Sequence, residues 1–291
     1  MRVLLKLIFF VPLISGQELS TPKIEYAPRS YVCYKVSAPI VVDGKINDVS
    51  WQKANWSEAF VDIEGDLKPN PFFDTKVKML WDENYFYFVA QMEEPHVWAT
   101  LKDRDAIIYM DNDFEIFLDP DGDTHHYYEL EVNALETEWD LLLLKPYRDQ
   151  AKVAVDSWDI PGLITKVHVD GTINDPSDID KGWSVEIAIP WKALEECAPN
   201  FHPLEGEQWK INFSRVHWNT KIENGQYIKT KLPEYNWVWS PQGIIAMHYP
   251  EMWGLVQFTE TMVGEELVKV KTNELDQIKW VLRQLYYRER S

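Results

Sequence analysis

Acidic and amide side chains recur at every second position along two neighbouring segments of the chain. Asp113 and Glu115 occupy the first segment, and Glu129, Glu131 and Asn133 occupy the second. Alternation with apolar residues is typical of β-strands, in which every second side chain points to the same face. Carboxylates accept hydrogen bonds from hydroxyl groups, and an amide both accepts and donates them. The pattern therefore predicts a row of polar groups that can hold a ligand rich in hydroxyls.

A turn sequence, Asp119-Pro120-Asp121-Gly122-Asp123, joins these two segments. Proline fixes φ and glycine tolerates positive φ, so the sequence reverses the chain and predicts a β-hairpin. Tyr109 lies just upstream of the hairpin. An aromatic face beside hydrogen-bond acceptors suits a sugar, whose C–H groups pack on the ring. The alternative is a polar solvent face on an ordinary sheet, which the spacing alone favours.

The composition describes a globular chain with many aromatic residues and an acidic balance. Its 291 residues include 14 Trp and 14 Tyr, and the formal net charge is −18. This charge argues against nucleic acid as a partner, because binding phosphates requires clustered Lys and Arg. It also disfavours anionic membrane surfaces. A neutral ligand fits this composition, whereas an acidic ligand fits poorly.

Residues 1–16 are predicted to be a secretory signal peptide. Arg2 and Lys6 precede an apolar run that ends in small residues suited to cleavage. The mature chain is therefore expected to be secreted, periplasmic or at the cell surface. Later segments fall short of the ~20 apolar residues that a membrane-spanning helix needs. Export permits a disulfide between Cys33 and Cys197, and two free thiols are the alternative.

A succession of short segments bounded by turn signals, such as residues 40–44 and 85–92, predicts strands and little helix. The expected fold is all-β, an antiparallel β-sandwich of two packed sheets of jelly-roll or immunoglobulin-like type. We assign residues 17–35 to an N-terminal leader, residues 36–260 to the sandwich and residues 261–291 to a C-terminal extension.

The C-terminal extension carries apolar residues at helical spacing, namely Leu275, Ile278, Val281, Leu282 and Leu285. Charged residues lie between them, so the pattern predicts a short amphipathic helix. Such a helix docks either within its own chain or on a protein partner.

An ordered set of motifs resembles carbohydrate-binding module family 9 and its larger family 9-like branch. The motifs are Ile40–Trp51, Leu80–Ala90, Asn112–Asp119, Gly182–Trp191 and the closing pair Trp253-Gly254. The resemblance extends over roughly residues 36–258. It implies a β-sandwich that binds sugars, commonly the ends of glucan or xylan chains. In the better-known branch two tryptophans sandwich the sugar, Glu, Arg and Asn bind its hydroxyls, and calcium has a structural role.

The resemblance also suggests site residues. The glutamate of the family's strand motif is Glu115 here, and the asparagine of the next strand is Asn133. The first sandwiching tryptophan is replaced by Tyr109. The arginine two positions before the asparagine is Glu131 here, so a donor is missing and the sugar specificity is expected to differ. Arg104, in the loop before the hairpin, is a candidate for the missing donor, and a local salt bridge is its alternative role.

The second sandwiching tryptophan has no unambiguous match in this sequence. Trp239, Trp237 and His248 are candidates in that order, and core packing is the alternative for each ring. All three precede the closing strand in a long segment rich in aromatic residues. A segment of this kind is commonly a functional loop.

Asp119, Asp121 and Asp123 are candidates for binding structural calcium, because alternating carboxylates can surround a hard cation. The match to an EF-hand loop fails, since the glycine follows Asp121 and not Asp123. A plain hairpin turn is the better interpretation of the residues. Calcium is supported by the resemblance, and no cofactor is predicted to be required.

The resulting hypothesis is an exported, non-catalytic protein that binds oligosaccharides or polysaccharides and assists their breakdown. One alternative is a glycoside hydrolase, which needs two carboxylates ~5–5.5 Å or ~6.5–9.5 Å apart. Glu115 with Glu129 or Glu131 is the pair that could supply them. Another alternative is a protein-interaction module without a sugar site.

Overall fold

The structure, a computed structural model, describes residues 20–149 and 152–290 of the chain. The predicted signal peptide lies outside the described residues. Residues 22–273 form one compact unit, and the C-terminal helix belongs to a second unit. Within the described residues, no helix has the length and apolar character needed to cross a bilayer.

The secondary structure is dominated by short strands. The strands are β1 (Ser30–Lys35), β2 (Val61–Asp62), β3 (Thr75–Trp81), β4 (Tyr85–Glu93), β5 (Asp113–Asp119), β6 (Tyr127–Asn133), β7 (Glu138–Leu143), β8 (Ala154–Val155), β9 (Ile164–Asp170), β10 (Gly182–Pro190), β11 (Gln208–His217), β12 (Thr220–Glu223), β13 (Gln226–Lys229), β14 (Tyr235–Val238) and β15 (Gly254–Met262). The α-helices are α1 (Val49–Lys53) and α2 (Glu274–Arg290). Short 3-10 turns span Gly65–Leu67, Ile108–Met110, Tyr147–Asp149, Trp191–Leu194 and Pro250–Met252.

Most strands belong to one 13-stranded sheet, whose main path runs β8-β7-β6-β5-β11-β15-β1-β3-β4-β10-β9. Strands β12 and β13 form a separate hairpin. Strand β1 pairs in parallel with both β15 and β3. The other pairings among the described residues are antiparallel. The expectation of a mostly β fold is confirmed, and the expectation of purely antiparallel sheets is wrong.

The sheet curls so that its two halves face each other across a common core. Phe88 of β4 lies 5.9 Å from Phe213 of β11, measured between ring centroids, and Phe86 lies 6.2 Å from Trp209. Strands β4 and β11 are separated in the sheet by three other strands, so these contacts run across the interior. Burial of these large rings is the main stabilising contribution to such an arrangement.

The predicted hairpin is present and consists of β5 and β6. Glu115 pairs with Glu131, and Phe117 pairs with Glu129. The alternate residues of both strands, such as Ile116, belong to the buried core. Because side chains alternate along a strand, the carboxylates lie on the opposite face of the sheet. The hairpin therefore turns its apolar face to the core and its acidic face away from it.

The segment 40–44, predicted to be a strand, has no regular structure. The backbone N–H groups of Asp43 and Gly44 each donate to the Glu186 carboxylate at 2.8 Å, which replaces the bonds of a strand ladder. Gly44 has a φ of +83°, and a Cβ there would lie 2.7 Å from the backbone of Val167. Glycine is required for this close approach.

The predicted C-terminal helix is present as α2, and its apolar residues are largely open to solvent. They are Leu275, Ile278, Val281, Leu282 and Leu285, with exposed fractions between 51% and 68%. A protein partner for this helix stays a prediction.

Candidate functional site

A cleft of about 460 Å³ lies over the acidic face of the β5–β6 hairpin. Its lining includes the carboxylates of Glu115, Glu129 and Glu131 from the two strands. Glu234 adds a fourth carboxylate from the segment before β14. The strand register places Glu115 opposite Glu131, so the acidic groups converge on one region of the cleft.

The carboxylates at the base of this cleft are deeply buried. Glu115 and Glu129 are 4% and 5% exposed, Glu131 is 1% exposed, and the neighbouring Asp113 is fully buried. Oxygen atoms of Asp113, Glu115 and Glu131 lie within 4.8 Å of one another. Carboxylates at such distances repel one another when ionised, and burial adds a desolvation penalty.

We define Asp113, Glu115, Glu129 and Glu131 as the acidic cluster. Three of its carboxylate oxygens have no hydrogen-bond partner among the described residues. They are Oδ2 of Asp113, Oε2 of Glu115 and Oε2 of Glu129. Glu131 accepts a hydrogen bond from the backbone N–H of Tyr109 at 2.9 Å. Buried acceptors without donors are uncommon in native proteins, so these oxygens are candidates for binding a ligand.

The environment raises the pKa of every member of the acidic cluster. Burial raises the pKa of Glu115 to about 7, which an interaction with Ser214 partly offsets. For Asp113, Glu129 and Glu131 burial is the main cause, and the charge of Glu115 raises each pKa further. The cluster therefore retains protons near neutral pH and releases them when a compensating donor or positive charge is present.

Aromatic rings border the cleft above these carboxylates. Tyr109, which is 40% exposed, lies beside Trp139 with 6.3 Å between ring centroids and planes inclined by 31°. The indole N–H of Trp218 donates to the backbone carbonyl of Tyr109 at 2.8 Å and fixes that backbone. Tyr109 is therefore partly open to solvent, and its ring is a candidate surface for stacking a sugar.

A second aromatic pair borders the cleft. The rings of Tyr147 and His248 meet edge to face at 4.5 Å. His248 Nδ1 lies 2.9 Å from the Tyr127 hydroxyl. Burial and the charge of Arg148 lower the pKa of His248, so the imidazole is neutral at physiological pH. His248 was predicted as a candidate platform, and the structure brings it together with Tyr109, Glu115 and Glu131 in one cleft.

Asn133, predicted to bind hydroxyl groups, instead fixes the turn after β6. Its Nδ2 donates to the carbonyl of Leu101 at 2.9 Å and to Asp111 at 3.2 Å. Its Oδ1 accepts from the backbone N–H groups of Leu135 and Thr137. The side chain is fully buried and both of its polar atoms have partners, so it has a structural role.

Trp239 and Trp237, predicted as stacking platforms, lie in the core and are 0% and 1% exposed. A Cβ at Gly254 would lie 2.3 Å from the Trp239 ring, so this glycine gives the indole its room. Trp237 stacks on His217, with 5.0 Å between ring centroids. Neither face is open to a ligand, and the stacking surface of the cleft comes from other residues.

Arg104, the candidate replacement donor, contacts acidic residues on the opposite face of β7 from the cleft. It pairs with Glu138 at 2.5 Å, Asp140 at 2.5 Å and Asp159 at 3.0 Å. Trp139 lines the cleft and lies between Glu138 and Asp140 in sequence, so the acidic pair points away. The alternative role of a local salt bridge describes Arg104 in this structure.

Oxygens of Asp119, Asp121 and Asp123 lie within 4.8 Å of one another, a spacing that suits a hard cation. The buried carboxylate of Asp119 accepts hydrogen bonds from the N–H groups of Gly122 and Thr124, both at 3.0 Å. These bonds form the turn by themselves. Calcium at this turn stays a prediction, and it would supply structural cross-linking only.

Sequence reasoning missed several residues that line the cleft, notably Trp139, Tyr147, Glu234 and Asn236. Trp139 pairs with Glu131 across the β6–β7 turn, so counting residues back from that turn would have placed it beside the acidic face. Tyr147 and Glu234 reach the cleft from loops, and no periodic pattern points to them.

A second cleft, of about 480 Å³, lies against β4, β9 and β10. Lys76 and Lys181 line it together with Asp74 and Asp170, so its charges are mixed. Its one indole among the described residues, Trp183, is only 3% exposed. The acidic cleft is therefore the better candidate for stacking a sugar.

This chain matches a known protein family. Residues 42–212, more than half of the chain, match the family described as "Carbohydrate family 9 binding domain-like". The chain belongs to this family. The resemblance inferred from the motifs is thereby confirmed. The matched range contains the hairpin, Tyr109 and Trp139, so most of the acidic cleft lies inside the family domain of this family 9-like chain.

A known xylanase is similar to part of this family 9-like chain. Endo-1,4-beta-xylanase A of Thermotoga maritima is 32% identical over 89 residues, which are 31% of this chain and 8% of the xylanase. The chain thus spans a small part of that relative.

Two solved structures share the fold. A protein of Bacteroides uniformis, to which carbohydrate binding has been attributed, has a TM-score of 0.58 and 18% identity, over 80% of this chain and 100% of its own. A family 9 carbohydrate-binding module of Caldicellulosiruptor kristjanssonii, solved with glucose, has a TM-score of 0.54 and 16% identity, over 82% of this chain and 100% of its own.

Proposed function

We propose that this protein is an exported carbohydrate-binding protein, which holds saccharides in the acidic cleft and thereby assists polysaccharide breakdown. The observation that carries this proposal is the cleft itself. It combines the open ring of Tyr109 with buried acceptors of Glu115 and Glu129 that lack partners. Membership of the family and the sugar complexes of the structural neighbours support the same function.

The cleft offers a sugar complementary contacts on two sides. The C–H face of a pyranose can pack on Tyr109, next to Trp139. Its hydroxyls can donate to Glu115, Glu129 and Glu131, whose oxygens accept. A saccharide that donates to these buried acceptors replaces the water they lose on folding. Binding in this way needs no catalytic group and no cofactor.

Export and a role in polysaccharide breakdown rest on the sequence and on the relatives. The signal-like residues 1–16 support export. The similarity to part of a xylanase supports a connection with polysaccharides. In this proposal the two facing halves of the sheet form a β-sandwich, which fixes the shape of the cleft.

A glycoside hydrolase is the second candidate, and one observation favours it. Burial raises the pKa of Glu115 to about 7, the range in which a carboxylic acid serves as general acid. One oxygen of Glu115 and one of Glu131 lie no more than 4.8 Å apart, so the two carboxylates are close enough to act as a pair, as in retaining enzymes, whose carboxyl groups are ~5–5.5 Å apart.

A single experiment separates the two candidates. The purified mature chain is incubated with soluble gluco-, xylo- and manno-oligosaccharides, and both binding and release of reducing ends are measured. Binding without release is the expected result. Release that disappears in the Glu115→Gln variant would establish the hydrolase instead. If the wild-type chain neither binds nor cleaves these saccharides, and the same test with amino-sugar oligosaccharides is also negative, the carbohydrate-binding proposal is overturned.

A further inference from the structure

The acidic cleft is lined by carboxyl groups that have no cationic side chain beside them among the described residues. Among the described residues that line it there are four glutamates and neither Lys nor Arg. His248 lines the cleft with its Nε2 3.9 Å from Glu129 Oε2, and its lowered pKa leaves it neutral. A neutral sugar satisfies hydrogen bonds here, whereas a cation can also replace the protons that the buried carboxylates hold.

The buried oxygens provide a second observation that points to a ligand. Oε2 of Glu115 and Oδ2 of Asp113 are unpartnered, although both side chains are at least nine-tenths buried. Together with Glu131 their carboxylates converge within 4.8 Å, which suits one small positive group with several hydrogen-bond donors. A protonated amine carries one positive charge and three such donors.

The surroundings of the cluster favour an organic cation over a bare metal ion. The cleft holds about 460 Å³, far more than one ion occupies. Tyr109 and Trp139 border it on one side, and Tyr147 lines it as well. Aromatic faces attract organic ammonium groups and pack against the carbon skeleton that carries them.

We propose that the cleft selects saccharides that carry a free amine, such as glucosamine units, and holds the ammonium against Glu115 and Glu131, which line the cleft and lie within 4.8 Å of Asp113. This inference rests on the proposed function and specifies its ligand class. The sugar ring lies against Tyr109, and the ammonium faces the acidic cluster. N-acetylation removes the charge and adds bulk, so acetylated saccharides bind more weakly.

The test is isothermal titration of the mature chain, at pH 6.5 and low salt, with three oligosaccharides of equal length. These are a glucosamine oligomer, its N-acetylated counterpart and a glucose oligomer. We expect the glucosamine oligomer to bind at least about tenfold more tightly than the other two, as is typical for a hydrogen bond between charged groups.

Variants locate the effect in the cluster. Glu131→Gln retains an oxygen that can accept from the Tyr109 N–H and removes one charge, so the preference for the amine should fall by about tenfold. Asp170→Asn serves as matched control, because Asp170 is an exposed carboxylate on β9 at the other end of the sheet. It should leave the preference unchanged.

The outcomes distinguish this inference from the proposed function. Equal affinity for all three oligosaccharides overturns the amine preference and supports carbohydrate binding. Absence of binding to any of them overturns both. Calcium chloride is titrated separately, and tight calcium binding that Glu131→Gln abolishes, without any amine preference, would assign the cluster to a metal ion and overturn the inference.

Discussion

Strand β11 separates two groups of buried carboxylates that have opposite surroundings. On the core side, Arg215 Nη2 donates to Glu94 at 3.0 Å, and His217 Nδ1 lies 3.1 Å from the same oxygen. On the other side, Ser214 pairs with Glu115 in the sheet, and Glu115 belongs to the acidic cluster without a cationic partner. One charge is paired within the protein, whereas the other group has no cationic partner among the described residues.

The pKa directions reflect this difference. Burial alone raises the pKa of Glu94, but the hydrogen bond with His217 and the charge of Arg215 lower it below its ordinary value overall. Burial raises the pKa of Glu115 to about 7, with no opposing charge. Similar burial thus gives a carboxylate that is ionised at neutral pH in one place and one that holds a proton more readily in the other. The difference lies in the neighbouring cations, which are present beside Glu94 and absent beside Glu115 among the described residues.

The largest expected effect is on stability and concerns the ion pair between Arg215 and Glu94. Arg215→Met should lower the free energy of unfolding by about 3–5 kcal/mol, because Glu94 is left buried without its guanidinium partner. Urea denaturation followed by tryptophan fluorescence measures this change. The double variant Arg215→Met with Glu94→Gln should recover part of the loss. A single-variant loss below about 1 kcal/mol would show that the pair is not needed for stability.

The next effect concerns the acidic cluster and the way in which stability depends on pH. A raised pKa in the folded state means that the native protein holds protons which the unfolded chain has released. The contribution of Glu115 to the free energy of unfolding should therefore fall as pH rises from about 5 to about 8, by roughly 3 kcal/mol. The other three members of the acidic cluster act in the same direction. His217 and His248 act in the opposite direction, because their lowered pKa values mean that the unfolded chain binds protons which the native imidazoles do not.

Urea denaturation across this pH range tests that expectation. Glu115→Gln, which cannot ionise, should lack this contribution, so its free energy of unfolding should rise relative to that of the wild-type chain as pH increases. Glu94 has a lowered pKa, so it titrates below this window and does not contribute to the difference. Profiles of the two chains that run parallel between pH 5 and pH 8 would contradict the description of the cluster.

The smallest effect concerns the aromatic residues. Tyr109→Ala should weaken saccharide affinity by about three- to tenfold, corresponding to the ~0.5–1.5 kcal/mol of an aromatic contact, with little change in stability. Trp239→Phe should do the reverse and lower stability without changing affinity, because the indole is buried beneath Gly254. Calorimetry with the bound oligosaccharide measures both affinities. If Trp239→Phe weakened the affinity and Tyr109→Ala did not, the stacking platform would be at Trp239.

Much of the fold could be predicted because it follows from local patterns. Alternation located the β5–β6 hairpin and sorted Glu115 and Ile116 to opposite faces, as the structure shows. The parallel pairing of β1 could not be predicted, because it depends on partners far away in sequence. The loss of the expected strand at residues 40–44 has a similar cause, since Glu186 from a distant strand binds its backbone.

The site could be predicted only in part, for the same reason. Tyr109, Glu115 and Glu131 line the cleft, and the sequence predicts them as candidates because they lie on or beside the hairpin. Asn133 lies on the same strand, but bonds to Leu101 and Asp111 decide its role. Exposure decides whether an aromatic ring can stack on a ligand, and exposure is a property of the assembled fold. Sequence alone therefore could not rank Trp239 below Trp139.

The parallel pairing of β1 with β15 and β3 has a consequence for the order of folding. This first strand lies between β3 and the last strand of the sheet, β15. The two halves of the sheet are joined in the middle by contacts between opposite ends of the domain. Such long-range pairing slows folding, because the entropy of closing a long loop is lost before the contacts form. A growing chain thus cannot complete this sheet until Gly254–Met262 has been synthesised.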